Sequence, residues 1–158
     1  MATGTINLQV GSPDLMTCGI DAGAVVGPRE VFVIASAQNR IKRVVVPANY
    51  GGSMVCKMIC QMTTAVAAAT VVINVDFDAK TPGSDDLVDT ANYDGVNAST
   101  ATTVPNAVTK EFLVTVICTN LDSAAVGDDL RVRITVTNAG APGGNLNLLH
   151  AWLEYTTA

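Results

Sequence analysis

Cys56 and Cys60 are the first candidates for chemistry, because thiolates bind zinc and a four-residue spacing brings two ligands together on a helix. The sulfur-bearing side chains of this stretch, however, recur at every second position: Met54, Cys56, Met58, Cys60 and Met62. A period of two indicates a strand, on which residues four apart are separated by about 13 Å. That distance excludes a disulfide or a shared zinc ion. The spacing predicts reduced, buried thiols, and we expect the same of Cys18 and Cys118.

Carboxylates are concentrated in residues 76–94: Asp76, Asp78, Asp85, Asp86, Asp89 and Asp94. Calcium prefers flexible, oxygen-rich loops, but the spacing does not match an EF-hand. Aspartate is also common in turns, where its side chain accepts backbone N–H bonds. The stretch therefore predicts a solvated acidic connection, with a weak calcium site as the alternative.

His150 is the only histidine and would have to be the base for any serine or cysteine nucleophile. It lies in an alternating stretch that puts His150, Trp152 and Glu154 on one face of a strand. No nucleophile motif accompanies it, and Gly51-Gly52-Ser53 lacks the lysine of a phosphate-binding loop. The sequence favours a protein that is not an enzyme and that needs no cofactor and no metal.

The composition indicates a β protein. Hydrophobic residues make up 49% of the 158 residues but aromatic residues only 4%, so the core is aliphatic, and valine and threonine favour strands. A net charge of -5 disfavours a nucleic-acid partner, which requires a basic surface. The first residues do not resemble a secretory signal, and the sequence has no apolar run of membrane-spanning length. We expect no membrane partner and synthesis in a cytoplasm.

Residues 128–157 carry the strongest strand pattern, two long strands joined by a glycine-rich turn. Leu130, Val132, Ile134 and Val136 alternate with Arg131, Arg133, Thr135 and Thr137. In the second strand the apolar phase slips between Leu148 and Leu149, which predicts a β-bulge. Further strands are predicted at 30–34, 41–46, 54–62, 70–78 and 110–118, with a turn at Gly51-Gly52 and a long connection over 93–108. Seven to nine strands at this spacing indicate a two-sheet sandwich.

Two segments allow more than one interpretation. Residues 40–43, Arg-Ile-Lys-Arg, predict a charged edge strand that prevents unwanted pairing, or a patch that meets an acidic partner. Residues 1–28 predict an N-terminal arm or edge strand ahead of a domain over 29–158. In this segment Ile6, Leu8 and Val10 alternate and could contact a neighbouring subunit.

Four stretches together resemble a jelly-roll module of tailed-phage virion proteins: VPANYGGSMVCKMICQM at 46–62, DLVDTANYDGV at 86–96, SAAVGDDLRVRITV at 123–136 and NLNLLHAWLEYTT at 145–157. The chain departs from that module by having Met and Cys where aromatic residues are usual on the 54–62 strand. The resemblance implies an all-β fold, a single antiparallel β-sandwich of jelly-roll type with a mostly extended N-terminal arm.

The resemblance also implies a structural role, as a capsid decoration (cement) protein. Such a protein would form a homotrimer and bind the major capsid protein on the outer surface of the virion head. The alternative is a tail or fibre component that binds a receptor or glycan, for which the Thr- and Asn-rich stretch 97–106 would supply an exposed loop. Candidate subunit or capsid contacts are Ile6, Leu8, Val10, Arg131, Arg133, His150, Trp152 and Glu154.

Overall fold

Every regular element in the described part of the chain is a β-strand. The computed structural model describes residues 2–8, 24–26, 29–34, 39–63, 69–84, 92–107, 110–137 and 146–158, with the backbone alone for 24–26, 29–34, 40 and 137. The strands are β1 (Thr3–Asn7), β2 (Ala24–Val26), β3 (Arg29–Ile34), β4 (Asn39–Val45), β5 (Tyr50–Met62), β6 (Thr70–Lys80), β7 (Gly95–Ala98), β8 (Thr102–Thr103), β9 (Glu111–Cys118), β10 (Asp129–Thr137) and β11 (Leu146–Thr157). These ranges contain no helix long and apolar enough to cross a membrane.

The strands form two antiparallel sheets with jelly-roll topology. Sheet 1 has the order β2-β3-β11-β5-β9, with β1 also paired to β11. Sheet 2 has the order β4-β10-β6-β7, with β8 also paired to β6. Without the short β1, β2 and β8, eight strands remain. Sheet 1 pairs the first, eighth, third and sixth of them, and sheet 2 the second, seventh, fourth and fifth. This is the eight-stranded, double-Greek-key arrangement of a jelly roll, so the predicted fold class is confirmed.

The core lies between the sheets and is built from the alternating residues that the sequence singles out. The inward residues of β5 are buried, as are Val71, Ile73, Val75 and Phe77 of β6. On β10, Leu130, Val132, Ile134 and Val136 are buried too. In β11 the pairing with β5 shifts between Leu148 and His150. This shift confirms the predicted bulge, which keeps apolar residues inward on both sides of it.

The predicted turn at Gly51-Gly52 is wrong, because both glycines belong to β5. The turn comes earlier, where the Tyr50 amide donates to the Pro47 carbonyl at 3.0 Å. A Cβ on Gly51 would lie 2.8 Å from the backbone carbon of Thr157. Glycine is needed here for close approach of the C-terminal strand and not for a reversal of the chain.

The connection over 93–108 contains two short strands that the sequence analysis does not predict. β7 and β8 both pair with β6. Asn97 and Ser99 are buried although they are polar. The Asn97 amide nitrogen donates to the carbonyls of Val75, Gly95 and Asn120, at 3.2, 3.1 and 2.7 Å. Asn97 and Ser99 therefore anchor this stretch on β6, while Ala98, Thr100, Ala101, Thr103 and Asn106 are exposed, so the predicted loop is exposed in part.

The first residues form an edge strand of the same chain. β1 pairs with β11 from Thr3↔Thr156 to Asn7↔Trp152, and its Gly4 lies directly against the Tyr155 ring. Leu8 is buried in the core and Ile6 packs against it. These two side chains therefore contact their own domain, while Val10 lies outside the described residues.

Candidate interaction surface

The described cysteines are structural. Cys56, Cys60 and Cys118 are free and buried, which confirms the prediction for these three, while Cys18 lies outside the described residues. Burial raises the pKa of the Cys56 and Cys60 thiols, and raises that of Cys118 to about 11. Within the described ranges, no three His, Cys, Asp or Glu side chains are placed to hold a metal ion.

The first two aspartates of the acidic stretch lie on β6, on the outer face of sheet 2, and not in a solvated loop. Asp76 is paired with Arg133, whose NH2 lies 2.7 Å from Asp76 Oδ2. Asp78 is fully buried and lies 3.3 Å from both Arg131 NH1 and Lys80 Nζ. Cations already neutralise this pair, which disfavours a calcium site there; Asp85, Asp86 and Asp89 lie outside the described residues.

Other charged side chains on the outer face of sheet 2 also pair within the chain, although Val45 and Val96 on this face are 66% and 56% exposed. The Arg133 guanidinium lies 4.1 Å from the centre of the Tyr93 ring, a cation–π contact. Arg43 on β4 forms an ion pair with Asp129. Arg131 is only 8% exposed. The two arginines predicted as subunit contacts therefore make their main interactions within the chain.

The other predicted contacts, His150, Trp152 and Glu154, lie on β11, on the outer face of sheet 1. The two sheets present these faces on opposite sides of the sandwich, so the arginines and this trio cannot form one contact face. The rings of His150 and Trp152 stack with centroids 5.2 Å apart. Trp152 Nε1 donates to Glu154 Oε1 at 3.0 Å, and Lys57 Nζ lies 2.7 Å from Glu154 Oε2. These two donors lower the pKa of Glu154.

Aliphatic side chains continue this face toward the edge of the sheet. The registers put His150 beside Ile59 and Ile59 beside Leu113, while Val55 lies beside Ile117. Val55 and Ile59 are half-buried, whereas Leu113 is 53% and Ile117 69% exposed. We call Val55, Ile59, His150 and Trp152 the sheet 1 patch.

Leu113 and Ile117 are absent from the predicted contacts, although the sequence contains a signal for them. Strand 110–118 carries Phe112, Val114, Val116 and Cys118 on one phase, and Leu113 and Ile117 on the other. Apolar residues on both phases indicate a strand covered on both faces. Among the described residues, only the inner face of this strand is covered.

No protein-family model and no curated protein matches the sequence. Among solved structures, the chain is similar to a xylan-binding module, CBM15, with a TM-score of 0.53 and 9% identity over 99% of each chain. At that identity the likeness shows the fold alone, a β-sandwich of jelly-roll type.

Proposed function

We propose that this chain is a structural virion protein, a decoration protein that binds the outer surface of a phage head as a trimer and stabilises it. The proposal is supported by the sequence resemblance to phage jelly-roll modules together with the jelly-roll topology. Its partners would be the major capsid protein and further copies of itself. The role requires no bond-breaking chemistry, so the proposed protein is not an enzyme.

The observation that carries the proposal is the sheet 1 patch. Apolar and aromatic side chains grouped on one face of a soluble domain commonly mark a site of protein–protein contact, and tryptophan is enriched among the residues that dominate binding energy. In this patch the Lys57–Glu154 ion pair lies between Val55 and Ile59 and would form a polar centre of the contact. The patch lies on β5 and β11, the two longest strands, so its residues are held rigidly. In a decoration layer many such modest contacts would act together, and the resulting avidity would hold the layer on the head.

Reattachment to heads that lack the protein tests this role. We expect the purified chain to pellet with such heads at a copy number on the order of hundreds per particle. Trp152→Ala should weaken attachment by about 30-fold, the effect of losing a hot spot of roughly 2 kcal/mol. Thr135→Ala on the outer face of sheet 2 is the matched control and should bind normally. A few copies per particle, or equal binding by both variants, would contradict the proposal.

A glycan-binding module is the second candidate, favoured by the stacked rings of Trp152 and His150 on a sheet face. Aromatic rings provide a broad apolar surface with a polar edge, which suits the face of a sugar ring, and the xylan-binding module has a similar fold. Trp152 is the only tryptophan, so its fluorescence reports on this face directly. A saturable change in Trp152 fluorescence on titration with xylan oligosaccharides would favour a glycan-binding module over a decoration protein.

A further inference from the structure

Strand β9 (Glu111–Cys118) forms one edge of sheet 1. It pairs with β5 over eight consecutive positions without a bulge, from Cys118↔Met54 to Glu111↔Gln61. No described strand pairs with its other side. An edge strand of this kind presents a row of backbone donors and acceptors to which another strand can add.

β9 lacks the usual protection against such addition. Residues 112–118 contain no charge and no proline, and the two aliphatic side chains on the outer face, Leu113 and Ile117, are more than half exposed. By contrast β4, an edge of sheet 2, carries Arg40, Lys42 and Arg43 within seven residues. Among the described strands, the β4 edge of sheet 2 is thus protected by charges, and the β9 edge of sheet 1 is not.

We propose that β9 pairs with β9 of a second copy, antiparallel about a two-fold axis, so that the two copies share a continuous sheet. Opposed residues in an antiparallel pair have side chains on the same face. With the axis at Thr115, Leu113 lies opposite Ile117 of the second copy and Ile117 opposite its Leu113. If the second strand were shifted by two residues in one direction, Glu111 would lie opposite Ile117. If it were shifted by two residues in the other direction, Leu113 would lie opposite Thr119. The apolar pattern therefore selects the register centred on Thr115.

The charges are compatible with this register. Glu111 lies opposite Thr119 of the second copy, and Lys110 opposite its Asn120. No charged residue of β9 is opposed to a like charge, which would be destabilising. A second copy is therefore complementary to this edge in side-chain pairing as well as in backbone hydrogen bonding.

This contact is independent of the proposed attachment to heads. A two-fold contact cannot itself build a trimer, because an isologous interface joins copies in pairs. In a decoration layer it would join one trimer to the next. Failure of the pairing would leave attachment through the sheet 1 patch unaffected, so the two proposals can fail separately.

Disulfide trapping tests the register. In a Cys18→Ser background, Thr115→Cys should form a disulfide-linked dimer on oxidation, because the two residues 115 face each other across the axis. Leu113→Cys is the matched control and should not link to itself, since its two copies are about 13 Å apart along the strand. Mixing the Leu113→Cys and Ile117→Cys chains should yield mixed dimers. No dimer with Thr115→Cys, or equal linking by Leu113→Cys alone, would overturn the proposal.

Sedimentation velocity tests the association without cysteines. Ile117→Lys places a charge on the proposed interface, and we expect it to lower the mass of the assembly. Val45→Lys makes the same change on β4, where the side chain is 66% exposed, and should leave the mass unaltered. An assembly whose mass is the same for the parent and Ile117→Lys would overturn the pairing.

Discussion

The two sheets of this sandwich have opposite kinds of outer surface. On sheet 2, Asp76 and Asp78 are neutralised by Arg133, Arg131 and Lys80 of the same chain. On sheet 1, Trp152 and His150 stack beside the Lys57–Glu154 ion pair, and aliphatic side chains extend from Ile59 to the exposed Leu113 and Ile117. The charged residues on the outer face of sheet 2 pair within the chain, so charge alone does not mark an interaction surface. The outer face of sheet 1 is the one on which we propose that a partner binds.

The prediction with the largest expected effect tests the internal role of sheet 2. Asp78→Ala removes the buried carboxylate that pairs with Arg131 and Lys80, and removing one member of a buried ion pair costs roughly 3 kcal/mol. We expect the free energy of unfolding, measured with urea at pH 7, to fall by about that amount. If sheet 2 has only this structural role, attachment to heads under conditions where the variant remains folded should be unchanged.

An exposed ion pair on the same sheet is the matched control. Arg43 forms an ion pair with Asp129 at the surface, and an exposed pair contributes about 1 kcal/mol or less. Arg43→Ala should therefore lower stability much less than Asp78→Ala. Equal losses would show that burial does not distinguish the two pairs. Loss of head attachment by folded Asp78→Ala would break the contrast between the sheets.

The second prediction concerns the place where the two sheets meet beside β9. Asn97 on sheet 2 donates to the Asn120 carbonyl just beyond β9, and its Oδ1 accepts from the Asn120 amide at 2.9 Å. Asn97→Ala removes the four hydrogen bonds of a buried side chain, two of them to the part-buried backbone of Asn120, and should cost roughly 2 kcal/mol. Urea unfolding measures the loss.

The exposed Asn106 provides the control, because its replacement by alanine should change stability little. The Asn97→Ala chain should also show faster amide exchange in residues 118–121 if this contact orders the end of β9. Unchanged amide exchange in residues 118–121 would mean that the end of β9 is ordered by its pairing with β5 alone. The contact with Asn97 of sheet 2 would then not contribute to its order.

Most of the strands could be predicted, because their apolar residues recur at every second position and this period is visible in the sequence itself. The bulge at Leu148 and Leu149 is a good example, since a slip of the apolar phase is visible in the sequence. β7 could not be predicted in this way, because its inward residue Asn97 is polar and is satisfied by backbone groups 22 and 23 residues away. The role of Gly51 could not be predicted, because the sequence does not reveal that the C-terminal strand approaches it.

The candidate surface could be predicted only in part. His150, Trp152 and Glu154 share a face because they share a strand, which the spacing fixes. The partners of Arg131 and Arg133 are Asp78 and Asp76, more than fifty residues away, so only the β6–β10 register brings them together. Because β6 and β10 belong to sheet 2, the two arginines lie on the opposite side of the sandwich from His150, Trp152 and Glu154 of β11.

The smallest expected effect would sharpen the description of sheet 1. Glu154 accepts from Trp152 and Lys57, which lowers its pKa below the ordinary 4.5. A carboxylate whose pKa is depressed by folding contributes stability above its unfolded pKa, and that contribution is lost as the pH falls through the folded pKa. In the folded chain, Trp152 fluorescence should therefore change with a midpoint below pH 4.5.

Glu154→Gln should remove this transition, while His150 remains stacked on the ring in both proteins. Lys57→Met should move the midpoint upward, because it deletes the donor with the largest effect. A midpoint at or above pH 4.5 in the parent would mean that Glu154 does not hold the indole, and that the aromatic pair on sheet 1 is positioned by stacking alone.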